Sequence, residues 1–188
     1  MAHLNVLYKH AAVTACLFAG NIVALYAQEE TPKDYSVKAV YLYNLTQFVE
    51  WPPKAFQNAR TPLVVGILGE DPFGRHLEEA IEGEENNGRS LVIRKFTTEE
   101  KIENCHVLFI NLPEASHTDK VLENLEGRSI LTVSDHAGFL EAGGMVQLVQ
   151  ADDRIHFQIN PDAASEADLK ISSKLLRVAE VITVPNEP

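Results

Sequence analysis

Cysteine is nearly missing: Cys16 and Cys105 are the only two in 188 residues. If Cys16 leaves with an N-terminal leader, Cys105 stands alone and no internal disulfide can form, whatever the redox compartment. Basic side chains are also scarce, 16 Lys and Arg against 27 Asp and Glu, for a formal charge of −11. Such a chain repels nucleic acid and anionic lipid headgroups, which removes both from the expected partners. His76, His106, His117, His136 and His156 show no short metal-ligand spacing and there is no cysteine pair, so no metal and no cofactor is expected. Ser134, Asp135 and His136 are consecutive, so their side chains diverge and cannot line up as nucleophile, base and orienter. Gly66 and Gly69 lack the lysine and spacing of a phosphate-binding loop. With these constellations gone, the chain reads as a binding module and not as an enzyme.

Charge is absent again from Ala11 to Ala27, after a single lysine at Lys9 and before the polar switch at Gln28-Glu29-Glu30. A basic start, an apolar stretch and a small residue before the break are the parts of a secretory signal peptide. The stretch is short of the roughly 20 residues of a membrane span and is interrupted by Gly20 and Asn21, which argues against a retained anchor. Val13-Thr14-Ala15-Cys16 resembles a lipidation motif, but the apolar stretch continues beyond the cysteine, where a lipoprotein signal ends. The expected organisation is a signal peptide at 1–27, a flexible lead-in at 28–34 and one domain at 35–183, with a frayed tail from Pro185 to Pro188. Cleavage after Ala27 leaves 161 of the 188 residues and, by removing Lys9, moves the charge from −11 to −12. That length suits one domain with one core, located in the periplasm.

Helical and strand patterns alternate along that domain. Val37, Val40, Tyr41, Asn44, Leu45 and Phe48 recur at helical spacing, with Asp34 as a candidate cap and Trp51-Pro52-Pro53 as the stop. The opposite face, Ala39, Leu42, Tyr43 and Thr46, is also largely apolar, so the helix is either sandwiched in the core or covered by a second molecule, a homodimer included. Leu63 to Leu68, Cys105 to Asn111 and Ile130 to Val133 are continuous apolar strands, and Leu91 to Phe96 is an alternating one. Helices are expected from Pro72 to Ile81 and from Ser116 to Leu125, with a solvated acidic turn from Glu82 to Gly88. Met145 to Val149 and Ile155 to Ile159 form a hairpin turning at Asp152-Asp153, and a last helix runs from Pro161 to Val181 with a break near Asp168. The fold class is therefore α/β: three layers, a mostly parallel sheet with helices on both faces, and a C-terminal antiparallel hairpin.

Ligands of parallel sheets bind at the carboxyl ends of the strands. Here those ends carry Gly69 and Asp71, Asn111, and Ser134 with Asp135, and Gly66 adds a further place for close backbone approach. These six residues form the candidate ligand crevice; the competing reading makes Asp71 simply the cap of a helix that starts at Pro72. Two aromatics are candidates for partner contact. Tyr43 lies on the helix face that a two-layer packing leaves wet, and Phe139 follows Gly138 on a connection. The alternative folds both rings into the core. Trp51, ending an apolar helix before two prolines, is expected to bury under the sheet as a clasp.

Several motifs, in order, resemble one family. Lys38-Ala39-x-Tyr41-Leu42-Tyr43-Asn44 leading to Phe48-Val49-Glu50-Trp51-Pro52 is similar to the opening of the YfiR family. Gly66-Ile67-Leu68-Gly69-x-Asp71-Pro72-Phe73-Gly74, Ser134-Asp135-x-x-Gly138-Phe139, Gly143-Gly144-Met145, Phe157-x-Ile159-Asn160 and Ile171-Ser172-Ser173-Lys174-Leu175-Leu176 continue it from about Tyr35 to Val181. The resemblance implies a non-enzymatic periplasmic repressor that contacts the periplasmic sensor region of a membrane-bound diguanylate cyclase, or of a sensor kinase, in cyclic di-GMP signalling. It also implies an outer-membrane-associated partner that relieves the repression by sequestration. A small-molecule sensor or carrier using the strand-end crevice is the alternative. Some relatives carry internal disulfides; with only Cys105 left in the mature chain, thiol control of that kind is excluded here.

Overall fold

The seven residues Leu63–Gly69 have no polar face to offer water, so their strand must be covered on both sides. The computed structural model describes residues 32–98, 102–113, 115–152 and 154–184. The expected signal peptide, the lead-in up to Thr31, Asp153 of the hairpin turn and the tail Pro185–Pro188 lie outside them. The chain runs through α1 (Pro32–Phe48), β1 (Val49–Glu50), a 3-10 turn (Pro53–Ala55), β2 (Leu63–Gly69), α2 (Arg75–Ile81), β3 (Glu85–Asn86) and β4 (Arg89–Phe96). It continues with β5 (Val107–Asn111), α3 (Ala115–Leu125), β6 (Leu131–Ser134), β7 (Val146–Ala151), β8 (Arg154–Ile159), α4 (Pro161–Glu166), β9 (Lys170–Ile171), α5 (Ser173–Leu176) and β10 (Glu180–Val181).

The main sheet has the order β10-β8-β7-β6-β5-β2-β4-β3. Neighbours from β4 to β7 are parallel, β7 and β8 form the expected antiparallel hairpin, and β10 returns parallel to β8. Alternation along each strand divides the core in two. Leu63, Val65 and Ile67 of β2 and Val107 and Phe109 of β5 face α1, α2, α4 and α5. Leu68, Leu108 and Ile110 face α3 and the connection carrying Phe139 and Leu140. This is the three-layer α/β arrangement the apolar strands require.

Five expectations change. Pro32 opens α1, so residues 32–34 are helical, and Asp34 sits inside the first turn beside the positive helix end instead of capping it. The buried stripe of α1 is Lys38, Ala39, Leu42, Leu45 and Thr46, not the face built on Val37 and Val40. The second helix begins at Arg75 rather than Pro72, because Asp71 Oδ1 accepts from the Phe73 and Gly74 amides at 2.9 and 3.2 Å and holds a turn there. The last helix does break at Asp168 as expected, but only two short helices remain of it and its end, Glu180–Val181, is a strand. Asn160 and Ser172 each cap a new start, and Asp168 adopts φ 59°, which no right-handed helix allows. The acidic turn also holds a strand, β3, whose Asn86 is buried and donates to the Thr46 carbonyl at 2.6 Å.

Candidate functional site

The carboxyl edge of the sheet brings most of the expected crevice residues together, and they spend their polar groups on one another. Asn111 Nδ2 donates to the Glu70 carbonyl at 3.0 Å, and Asn111 Oδ1 lies 3.1 Å from His136 Nε2. Ser134 Oγ donates to the Ile110 carbonyl at 2.8 Å and accepts from the His136 amide. Asp71 pairs with Lys95 at 2.7 Å, which raises the Lys95 ammonium above its usual range. Asp135 pairs at 2.7 Å with Lys38, which α1 sends in from its buried stripe. The Lys38 side chain is 0% exposed and that of Asp135 4%. Lys38 Nζ also lies 4.5 Å from the centre of the Tyr35 ring, and Tyr35, Phe73 and Phe109 follow in a chain of edge contacts. Lys38 opens the family-like motif of α1. Its signal is a lysine at a position where helical spacing demands an apolar side chain.

The two glycines serve packing between protein groups. Gly66 lies inside β2, away from the edge, where a Cβ would stand 2.7–2.9 Å from Cys105 Sγ, Phe96 Cε2 and Leu108 Cδ1. Gly69, at φ +91°, lets the backbone pass the neighbouring strand, since a Cβ would meet the Asn111 carbonyl oxygen at 2.1 Å. The close approach expected of both is therefore to the protein itself.

Phe139 is not on the surface. It is 2% exposed, because the connection folds back on itself through Gly144 N donating to Phe139 O at 2.9 Å and lays the ring into the α3-side core. Tyr43 is half-buried, with its hydroxyl donating to Glu84 at 2.6 Å, and that carboxylate raises the phenol above its usual range. The two rings belong to different layers and form no common patch. What α1 does leave outside is Val37 (38% exposed) and Val40 (46%), with Tyr41 beside them against Phe157 of β8 at 5.1 Å between ring centres. At 100° per residue Tyr43 borders the same outer arc.

At the opposite, amino edge of the sheet, a stack closes the segment after α1. The guanidinium of Arg89 lies 3.9 Å from the Phe56 ring, Phe56 stacks on His106 at 4.4 Å, and Trp51 meets His106 edge-on. Trp51 is half-buried there, its indole N–H donating to the His106 carbonyl at 3.1 Å, so the clasp exists at the sheet's end instead of beneath it. Both ring nitrogens of His106 are committed: Nδ1 accepts from Val64 N at 3.0 Å, which leaves Nε2 to donate to the Ala55 carbonyl at 3.1 Å. Burial holds this imidazole below the ordinary histidine range. Protonation is thus favoured in the unfolded chain, so the contribution of His106 is complete above about pH 6.5 and lost as pH falls through the lower folded value. The expected result is a wild-type melting temperature that drops more steeply than that of His106→Gln as pH is lowered from neutral; parallel pH profiles would remove the assignment. Cys105 is buried, with its thiol pushed up to about 12, and is inert.

No curated protein matches the chain at a significant level. Among solved structures, the ABC domain in complex with L-Trp from Streptococcus pneumonia superposes with a TM-score of 0.50 at 14% identity, covering 78% of this chain and 60% of that one. The NAD-complexed D-isomer specific 2-hydroxyacid dehydrogenase from Lactobacillus delbrueckii ssp. bulgaricus gives a TM-score of 0.34 at 13% identity, over 64% of this chain and 43% of that one. The chain thus spans about three-fifths of the length of the first, a likeness of fold alone, and the second carries no argument. The family model described as YfiR/HmsC-like matches residues 35–180, the span of the motifs read above, and the chain belongs to this family of periplasmic regulatory proteins.

Proposed function

We propose that the chain is exported with removal of residues 1–27 and binds the periplasmic part of an inner-membrane signalling protein, repressing a diguanylate cyclase. The family match over residues 35–180 carries this reading. The proposed contact surface is the outer arc of α1, where Val37 and Val40 stay exposed beside Tyr41 and Tyr43 although the helix has a fully buried stripe of its own. An outer-membrane-associated protein that sequesters the chain would relieve the repression by competing for this arc.

The test is capture of the membrane partner. Val37→Asp with Val40→Asp is expected to leave the melting temperature nearly unchanged, since both side chains are already wet, while retention from solubilised membranes falls about tenfold or more. Cellular cyclic di-GMP should rise in the same strain. Undiminished capture by a folded double variant removes α1 as the contact surface.

A further inference from the structure

Beyond the proposed partner contact, we infer that the amino ends of β2 and β5 form a binding site for a small oxyanion of two negative charges, inorganic phosphate or a phosphate monoester. The chain is strongly acidic, yet a cavity of about 460 Å³ at this edge is lined by Arg60, Arg94, Gln57 and Asn104, with Pro62 and Val64 as its apolar wall. That volume lies within the roughly 300–1,000 Å³ of small-molecule sites. No Asp or Glu lines the cavity among the described residues. Lys38, Lys54, Arg75 and Lys95 each hold a carboxylate, whereas Arg60 and Arg94 pair with none among the described residues.

Two unpaired arginines alone would mean only solvated charge. The second observation is how the acceptors beside them are used. Asn58 Oδ1 accepts from the Arg60 amide at 2.8 Å, Thr61 Oγ1 from the Asn58 amide at 3.1 Å, and Asn104 Oδ1 from Gln57 Nε2 at 3.1 Å. The carbonyls of Asn58, Ala59 and Thr61 converge on Nη1 of Arg89 at 2.8–3.0 Å. Arg89 thus holds the loop before β2 and takes up its acceptors, and what the loop leaves for a ligand is donors, two guanidinium groups and the Asn104 NH2. The field here is positive as well. Burial first, and then, against the Ala55 hydrogen bond, the charges of Arg89 and Arg94 hold the His106 imidazole below its ordinary range. Guanidinium forks match phosphate oxygens bidentately, and a phosphate monoester at neutral pH carries about −1.5 to −2, enough to balance Arg60 and Arg94.

Calorimetric titration of the purified chain compares inorganic phosphate, glycerol phosphate and acetate. Both phosphates are expected to bind saturably, and more weakly as salt rises. Acetate, with a single charge, should bind about tenfold less tightly. Arg60→Gln with Arg94→Gln, both exposed, should melt like the wild type and bind glycerol phosphate about tenfold less tightly or worse. Lys174→Gln with Arg177→Gln removes the same charge at α5, where both side chains are exposed, and should leave the affinity nearly unchanged. Vesicles containing phosphatidic acid present the same group on a surface, and the negative charge of the whole chain is expected to keep it from co-sedimenting with them. Co-sedimentation that needs Arg60 and Arg94, without saturable binding of glycerol phosphate, overturns the free anion as the ligand. Equal losses in the two double variants, undiminished binding by the folded Arg60 and Arg94 variant, or no saturation by either phosphate at millimolar concentration overturns the site itself. Because no membrane partner is present, the outcome is separate from the fate of the repressor reading.

Discussion

Phe139→Ser is expected to destabilise the domain by about 3–5 kcal/mol, the cost of removing a large ring from a packed interior. The ring packs in the core that includes Leu108, Ile110, Val121 and Leu140, and Gly144 is fitted to it: a Cβ there would lie 2.3–2.4 Å from Phe139 Cε1 and Cδ1. Gly144→Ala therefore probes the same contact from the other side, with an overpacking cost of about 1–3 kcal/mol. Urea unfolding should show a lower midpoint at unchanged slope for both. Since a domain commonly has only about 5–15 kcal/mol to lose, the serine variant should also express poorly. A Phe139→Ser protein with the wild-type midpoint that fails to retain its partner would restore the surface role that its place on a connection suggests.

That case shows where sequence and structure part. Strands β2, β5 and β6 were legible because continuous apolar runs admit one solution, coverage on both faces. The hairpin was legible because alternation switches on at Met145. Phe139 was misplaced because a position on a connection says nothing about where that connection goes, and Gly143-Gly144 could be read as a turn without showing that a glycine there makes room for a ring. On α1 the spacing was right and the face wrong. Two nearly apolar stripes compete, and what decides between them is a lysine, Lys38, whose burial depends on Asp135 nearly a hundred residues away. Local periodicity cannot carry that information. The same holds for the crevice: the sequence places Asp71, Asn111, Ser134 and Asp135 at strand ends, while their mutual pairing follows only from strand order.

The Lys38–Asp135 pair gives the second large effect. Lys38→Met should cost about 3–5 kcal/mol, because it leaves the Asp135 carboxylate buried without its cation. Asp135→Leu should cost about as much by removing the counter-charge of the buried ammonium. Joining the two substitutions removes both charges at once, and the double variant should recover most of the loss, since a well-packed apolar replacement of a buried pair is commonly neutral. The measurement is a double-mutant cycle from urea unfolding, with a coupling of about 1 kcal/mol or more expected. Additive single effects would mean that each side chain is held by other contacts and the pair ties nothing together. The functional consequence follows from position. The pair is a polar tie between the buried stripe of α1 and the end of β6, while Val37 and Val40 sit on the helix's far side. An apolar replacement keeps the domain folded but removes the directional bond that sets the helix's rotation. If the outer arc of α1 is the contact surface, the stable double variant should bind the membrane partner more weakly than its stability predicts. Wild-type capture by that variant would show that packing alone orients the helix.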